Sequence, residues 1–498
     1  MSRRAAFSAS ERMSPFGLWI QNLLFPWLGR TWATRMSRLR AECQQVISGA
    51  ASIDGAVQLR LKIRSEAFQN DLSLCGLQSV PMAPRSTALL HPGPLATNAV
   101  RVSWRAVVRL RAGHPWVYRS DLEGSPTLPR AGVVRVLEEG GRFLGCAISS
   151  SSSQIALRMI SDRDCDEAEL PSLVSARTKA AIEYRNALNI PEKSNAYRLV
   201  FSEADQLPGL IIDRYNDVLA FQVLTQAMDR TDVREAILET LEAEIRPAGI
   251  VERVEERIRE LEELPAIEGR LIRGDKTRTI IEMRAEPEKP PLRFEYDAAA
   301  GQKTGAFLDQ RENYATAQRY AHGSALDVFC YQGGFALHLA RVCQQVTGVD
   351  ASRAALEAGE RNFELNRSLL AVPEIEWLEA NAFDLLRDWS DTGRKFQTII
   401  LDPPAFAKTK KALPTALRGY KELNLRALKM LDSGGILLTC SCSHHVSQEE
   451  FLGMLAESAR DARRRIRLLE VRGQSQDHPV VAGIPETAYL KCVIVFVE

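Results

Sequence analysis

The stretch Leu326–Phe335, Leu-Asp-Val-Phe-Cys-Tyr-Gln-Gly-Gly-Phe, constrains what this chain can fold into more tightly than any other. A strand-like Leu-Asp-Val runs into Gly333 and Gly334, and a helix-like segment opens at Phe335. Glycines at a strand-to-helix turn let backbone approach a ligand that a side chain would block. A second strand-like run, Gln345–Val349, follows and ends on Asp350. The spacing predicts a βαβ unit with a carboxylate at the tip of its second strand, suited to gripping ribose hydroxyls. A βαβ unit without a ligand carries much of the same pattern, so the choice falls to the rest of the chain.

With 498 residues there is room for about two to four domains. Apolar content of 45% and charged content of 26% are those of an ordinary globular protein. A formal net charge of +1 leaves any nucleic-acid contact to local basic surface. Nine cysteines without paired spacing, and no evident secretory signal, predict a reducing, cytoplasmic setting. The apolar run Phe16–Leu28, broken by Gln21, Asn22 and Pro26, is too short to span a bilayer, so no membrane association is expected. Residues 1–96 lack periodicity and read as a disordered or mis-assigned extension, with Met82 as a candidate start. Their early arginines and Trp19, Trp27 and Trp32 also fit a presequence.

From Asn98 the texture changes. Val100–Leu110 alternates as a strand would, and further strands are expected at Ala131–Leu137, Arg142–Ser149 and Ile155–Ile160. Short strands at this spacing predict a small β-barrel over 97–168. His114, Trp116 and Arg119 are candidates for an RNA-contacting edge, because aromatics stack bases and arginine pairs phosphates. Trp116 would equally serve as the plug of the barrel. A central α/β domain over 169–296 is expected from a helix at Leu170–Leu188, strands around Leu210–Ile212 and Val218–Leu224, and a helix at Asp232–Ile245. The charge run Arg257–Leu264 reads as a solvated face.

The remainder, 297–498, carries the chemistry. Gly301–Arg311 mixes glycines with amide, ammonium, carboxylate and guanidinium groups, as a loop covering a cofactor would. Trp377-Leu378 leads to Asn381, and the buried-type strand Thr398–Leu401 ends in Asp402-Pro403-Pro404. The two prolines stiffen the chain and hold Asp402 at the sheet's C-terminal edge, where open α/β sheets bind ligands. The strand Ile436–Thr439 ends in Cys440-Ser441-Cys442-Ser443-His444-His445. Cys440 and Cys442 share a face in a regular strand, so both could reach the site or both could be buried thiols. The Cys/His cluster lacks a second ligand pair, so no metal is expected. Lys408, Lys410 and Lys411 make a candidate phosphate-contacting loop or a solvated run.

Leu207-Pro-Gly-Leu with Asp213-Arg214, the Gly301–Asn313 loop, Asp402-Pro-Pro, Ser441-Cys442-Ser443 and Asp477-His478-Pro479-Val480 together resemble one family. It is that of the class I S-adenosylmethionine-dependent methyltransferases that make 5-methylcytosine in bacterial large-subunit ribosomal RNA, with an N-terminal PUA domain. The resemblance covers about Val100–Glu498, and its aromatic-x-Gly-Gly turn at Tyr331–Gly334 is a trait of that family. It implies a PUA-like barrel, a small α/β central domain and a C-terminal Rossmann-like methyltransferase domain. The cofactor would be S-adenosyl-L-methionine, held by Gln302, Thr304, Gln310, Asp327, Phe329, Gly333, Asp350, Asn381 and Asp402. The substrate would be 23S ribosomal RNA, the protein a cytoplasmic enzyme, and a homodimer one assembly it allows. Cys442 would be the nucleophile that adds to cytosine C6, and Asp402 would hold the N3/N4 edge of the base. Two other readings stay open: an exocyclic-amine methyltransferase, which needs no thiol, and a non-catalytic RNA-binding scaffold.

Overall fold

The computed structural model describes residues 98–299, 306–407 and 409–498. The expectations placed on 1–96, Gln302, Thr304 and Lys408 lie outside the described residues. Strands β1 (Ala99–Val102), β2 (Trp116–Tyr118), β3 (Val133–Glu138), β4 (Phe143–Ser149) and β5 (Ile155–Ser161) form one sheet in the order β1-β3-β4-β5-β2. The strand expected to run to Leu110 stops at Val102, and a helix, Trp104–Arg111, takes over. Ser103 explains the break: its hydroxyl accepts from Ala106 N at 3.4 Å and donates to Asp121 at 3.3 Å, as an N-cap. Ala106, Val107 and Leu110 then fall on one helical face, so the sequence fits both periods and the cap decides.

The central sheet runs β10 (Arg270–Gly274), β9 (Gly249–Glu252), β8 (Val218–Val223), β7 (Leu210–Tyr215), β6 (Ala196–Phe201). The helices Leu170–Ala187 and Thr231–Ile245 pack against each other and share a core with it. A hairpin of β11 (Arg278–Met283) and β12 (Leu292–Asp297) follows. The charge run is not a solvated face throughout. Glu256–Leu261 is a short helix, and Arg259 and Glu262 beside it are buried. Glu262 accepts from Arg158 of β5 at 2.9 Å and from Ser150 Oγ at 2.7 Å, which pins the first sheet to the central region. A buried charge survives only when paired in this way.

Seven strands make the C-terminal sheet: β13 (Ser324–Val328), β14 (Gln345–Asp350), β15 (Glu376–Glu379), β16 (Phe396–Leu401), β17 (Leu431–Ser441), β18 (Ile466–Arg472) and β19 (Lys491–Val497). Their order is β15-β14-β13-β16-β17-β19-β18, with β13 to β17 parallel and β19 antiparallel to both neighbours. The central parallel strands are accordingly buried, with apolar stretches at Ile399–Leu401 in β16 and Ile436–Leu438 in β17. Strand order reverses between β13 and β16, and the C-terminal ends of the parallel strands share one rim, the usual ligand crevice of an open α/β sheet.

Candidate active site

The turn after β13 is held under strain. Phe329 (φ 68°), Tyr331 (φ 48°) and Gly333 (φ 85°) all lie in the left-handed region, which is costly for the two aromatics. What holds them is a fan of hydrogen bonds to β14. Phe329 N and Cys330 N both donate to Val349 O, at 2.8 and 3.0 Å, and Tyr331 N donates to Asp350 Oδ2 at 3.0 Å. Asp350 Oδ1 accepts from Ser352 N at 2.9 Å, so the carboxylate is fixed at the strand tip where the sequence put it.

The reason for the two glycines differs from the expected one. A Cβ on Gly333 would lie 2.9 Å from Trp377, and one on Gly334 would lie 2.6 Å from the Tyr314 ring. Trp377 also fills the space beside Gly348 and Gly359. These glycines make room for two aromatic rings; the positive φ of Gly333 is the second demand.

Asp327, deep in β13, accepts from Ala336 N at 2.8 Å through Oδ2. Its Oδ1 is buried with no hydrogen-bond partner among the described residues. Burial, then the like charges of Asp402 and Asp350, push its carboxyl well above the usual range. A cleft lined by Phe307, Phe329, Tyr331, Gln332, Gly334 and Asp402 opens at the turn that follows β13. Asn381 sits at the third strand end, exposed, with Oδ1 capping the helix Ala382–Thr392 through Phe383 N at 2.9 Å.

Asp402 and Cys442 come together at the rim. Cys442 Sγ lies 3.9 Å from the carbonyl oxygen of Pro403. The Ser-Cys-Ser sequence is bolted in place on both sides: Ser441 Oγ donates to Tyr420 OH at 3.0 Å, and Ser443 Oγ lies 2.9 Å from that same phenol oxygen. Ser443 Oγ also accepts from Ala407 N at 3.1 Å, which ties it to the chain after Pro404. Cys440 is fully buried opposite Cys492, whereas Cys442 is only half-buried. Burial pushes the Cys440 thiol well up, so it is the inert member of the pair.

Asp402 accepts from Gln310 Nε2 at 2.9 Å, and Gln310 Oε1 in turn accepts from Asn313. Burial and the neighbouring Asp309 raise the Asp402 carboxyl to about 7, against the opposing Gln310 bond. A carboxyl poised there can give or take a proton near neutrality. Tyr420 was not singled out from the sequence; Asp309 stood there only as the carboxylate of the Gly301–Arg311 loop, and Tyr489 only within a C-terminal Tyr489-Leu490-Lys491 motif, with no sign that the two meet. Asp309 is held by Tyr489 OH at 2.7 Å, a contact that joins residues 180 apart and has no local signal.

The first sheet places its candidates differently. His114 is buried, its Nε2 3.0 Å from Glu486 Oε2. Trp116 is half-buried and donates from Nε1 to Glu203 at 3.0 Å, linking sheets instead of plugging a barrel. The Arg119 guanidinium is spent on the carbonyls of Ser150 and Ser153, each at 3.0 Å. The exposed aromatic-cationic face is on the unexpected helix: Trp104 is 66% exposed, with Arg105 beside it and Arg111 stacked over its ring. Lys410 and Lys411 are exposed on a 3-10 turn after the Asp-Pro-Pro motif. No cluster of residues that could hold a metal ion occurs among the described residues, and none of their helices is long and apolar enough to cross a membrane.

Comparison with known proteins fits this geometry. Residues 100–162 match a PUA-like domain, and residues 284–495 match an S-adenosylmethionine-dependent methyltransferase domain. Ribosomal RNA large subunit methyltransferase I of Shewanella denitrificans is 36% identical over 392 residues, 77% of this chain and 96% of that protein. Its counterpart from Tolumonas auensis is 37% identical over 387 residues, covering 77% and 95%. A solved structure from Streptococcus mutans, classed by inference as an S-adenosylmethionine-dependent methyltransferase, shares the fold at a TM-score of 0.65. It has 18% identity and covers 80% of this chain and 99% of its own. A PUA-like module, a Rossmann-like sheet with an Asp-Pro-Pro rim and relatives matched over nearly their full length lead to one assignment: the chain belongs to the ribosomal RNA large subunit methyltransferase I family of S-adenosylmethionine-dependent enzymes.

Proposed function

We propose that this protein methylates C5 of a cytosine in 23S ribosomal RNA through a covalent Cys442 adduct. The observation that carries the proposal is the meeting of Cys442 and the Asp402-Pro-Pro segment at one rim, next to the cleft under the Phe329–Gly334 turn. S-adenosylmethionine, when bound, supplies an electrophilic methyl group on a sulfonium. The site suits it: the unpartnered Asp327 Oδ1 offers an acceptor for an ammonium group, and Asp350 offers lone pairs to ribose hydroxyls. Phe329 lines the cleft, Gln310 holds its wall residue Asp402, Gly333 shapes the turn above it, and Asn381 borders the same rim.

Cytosine C5 is a weak nucleophile, and the thiolate of Cys442 overcomes this by adding to C6, which makes C5 carbanion-like. Asp402, protonated near neutrality, donates to N3 of the base and stabilises the adduct. Once C5 carries the methyl group, loss of its proton and expulsion of the Cys442 sulfur restore the ring. The base must leave its stack to reach this rim, so the target is a loop or flipped nucleotide. The exposed Trp104 and Arg105 are better placed to contact RNA than His114, Trp116 and Arg119, whose polar groups are occupied, while Arg111 stacks on Trp104 and pairs with Glu138.

The test is nucleoside mass spectrometry of unmodified large-subunit ribosomal RNA after incubation with protein and S-adenosylmethionine. The expected product is 5-methylcytidine. An N-methylated base in its place would favour the exocyclic-amine chemistry, which needs no thiol, and no cofactor binding by calorimetry would favour a scaffold.

A further inference from the structure

Lys491 is a buried cation at the rim with a position that fold alone does not require. It opens β19 directly opposite Ser441, one residue before Cys442, and the residue is 6% exposed. Nζ donates to Ser443 O at 2.6 Å and to Tyr489 O at 2.8 Å, carbonyls on the two segments that flank the thiol. None of the ion pairs among the described residues includes it. An ammonium taken out of water costs several kcal/mol unless a counter-charge is near.

We propose that Lys491 is a positioning residue whose ammonium, clamped by the Ser443 and Tyr489 carbonyls, favours the thiolate form of Cys442. The inference rests on the covalent reading above and deepens it. The Sγ proton is released to solvent on the open side of the half-buried thiol, and the ammonium keeps its charge at pH 7, below its own titration at about 8. Support runs in both directions: burial draws the Lys491 ammonium down to about 8, and negative charge on Cys442 is the first influence opposing this. An anion that stabilises a cation is stabilised by it equally. Glu450, on the helix Gln448–Asp461, also faces Lys491 and competes as counter-charge. His444 and His445 stand on the same loop as the thiol, and burial, then the Lys491 charge, hold His444 toward its neutral form. The Tyr420 phenol faces Cys442 and is itself pushed up, so it stays uncharged.

The experiment follows iodoacetamide alkylation of Cys442 against pH in the full chain, read by peptide mass spectrometry with half-buried Cys165 as internal reference. Wild-type Cys442 should titrate below an ordinary cysteine, about 8.5. Lys491→Met should raise the midpoint by about one unit, equivalent to about tenfold slower alkylation at pH 7, while Lys491→Arg retains most of the wild-type rate. Identical profiles for wild type and Lys491→Met would overturn the proposal. So would a wild-type midpoint at or above that of an ordinary cysteine, a result that needs no variant to fold. Methylation by Cys442→Ala would instead overturn the covalent reading and leave the alkylation result standing.

Discussion

Replacing Asp477 by alanine should destabilise the protein by about 3–5 kcal/mol while leaving the surroundings of Cys442 untouched. Asp477 is completely buried, and its carboxylate joins two regions of the chain. Oδ1 accepts from the buried Arg311 guanidinium at 2.8 Å, and Oδ2 accepts from Arg198 N at 2.8 Å. Two hydrogen bonds that involve charge, at about 1.5–3 kcal/mol each, set the scale, and the variant leaves a guanidinium and an N–H without their acceptor. At roughly 2–4 °C per kcal/mol for a domain of this class, the transition should fall on the order of 10 °C in a calorimeter. Burial would raise the Asp477 carboxyl, but Arg311 and His478 outweigh it and hold it well below the usual range. The ion pair is therefore fully present above about pH 4 and is lost only as pH falls below that, so the deficit of the variant should be constant from pH 8 to 5 and shrink in stronger acid. Pairing Asp477→Leu with Arg311→Met should cost at least about 2 kcal/mol less than the sum of the single changes. A loss below about 1 kcal/mol for Asp477→Ala, or strict additivity of the pair, would refute this account.

Other perturbations read other parts of the structure. Asp402→Asn should cut kcat/KM by about 10²-fold or more and remove an ionisation near pH 7 from the rate profile. Because folded Asp402 holds its proton more tightly than the unfolded residue, acidification from pH 8 toward 5 favours the folded state at this site, and denaturant titrations of Asp402→Asn should lack that dependence. Glu262→Ala should lower stability by about 3 kcal/mol by stranding Arg158, measured by thermal unfolding; a solvated glutamate would cost almost nothing. Gly334→Ala forces a methyl group into the Tyr314 ring and should cost about 1–3 kcal/mol in the same assay. Trp104→Ala should weaken RNA binding by about 1–3 kcal/mol in a filter-binding titration, with Trp116→Phe far milder.

The rim of the C-terminal sheet was legible in the sequence because the central parallel strands, buried on both faces, are largely apolar runs that stop at a polar residue. Thr398–Leu401 stopping at Asp402 and Gln345–Val349 stopping at Asp350 are the clearest cases. What escaped notice depends on distant partners. Val100–Leu110 satisfies both a period of two and a helical face, and only the Ser103–Asp121 contact settles it. Glu262 looks solvated until Arg158, 104 residues away, is placed beside it. The tight fit of Gly333 is set by Trp377, and the position of Lys491 by the antiparallel register of β17 and β19. Asp213 and Asp477, prominent in the motif pattern, are buried partners of arginines: Asp213 pairs with Arg198 across neighbouring strands of the central sheet, and Asp477 ties Arg311 to the backbone of Arg198.

The central claim is that Cys442 bonds covalently to the target base. RNA carrying 5-fluorocytosine at the target tests it directly, because fluorine at C5 replaces the proton that must leave and traps the adduct. Mass spectrometry of denatured protein incubated with this RNA and S-adenosylmethionine should show a nucleotide adduct on the Cys442 peptide, absent from Cys442→Ala and retained in Cys440→Ala. Methylation of unmodified RNA with no trapped adduct, or full turnover by Cys442→Ala, would contradict the account.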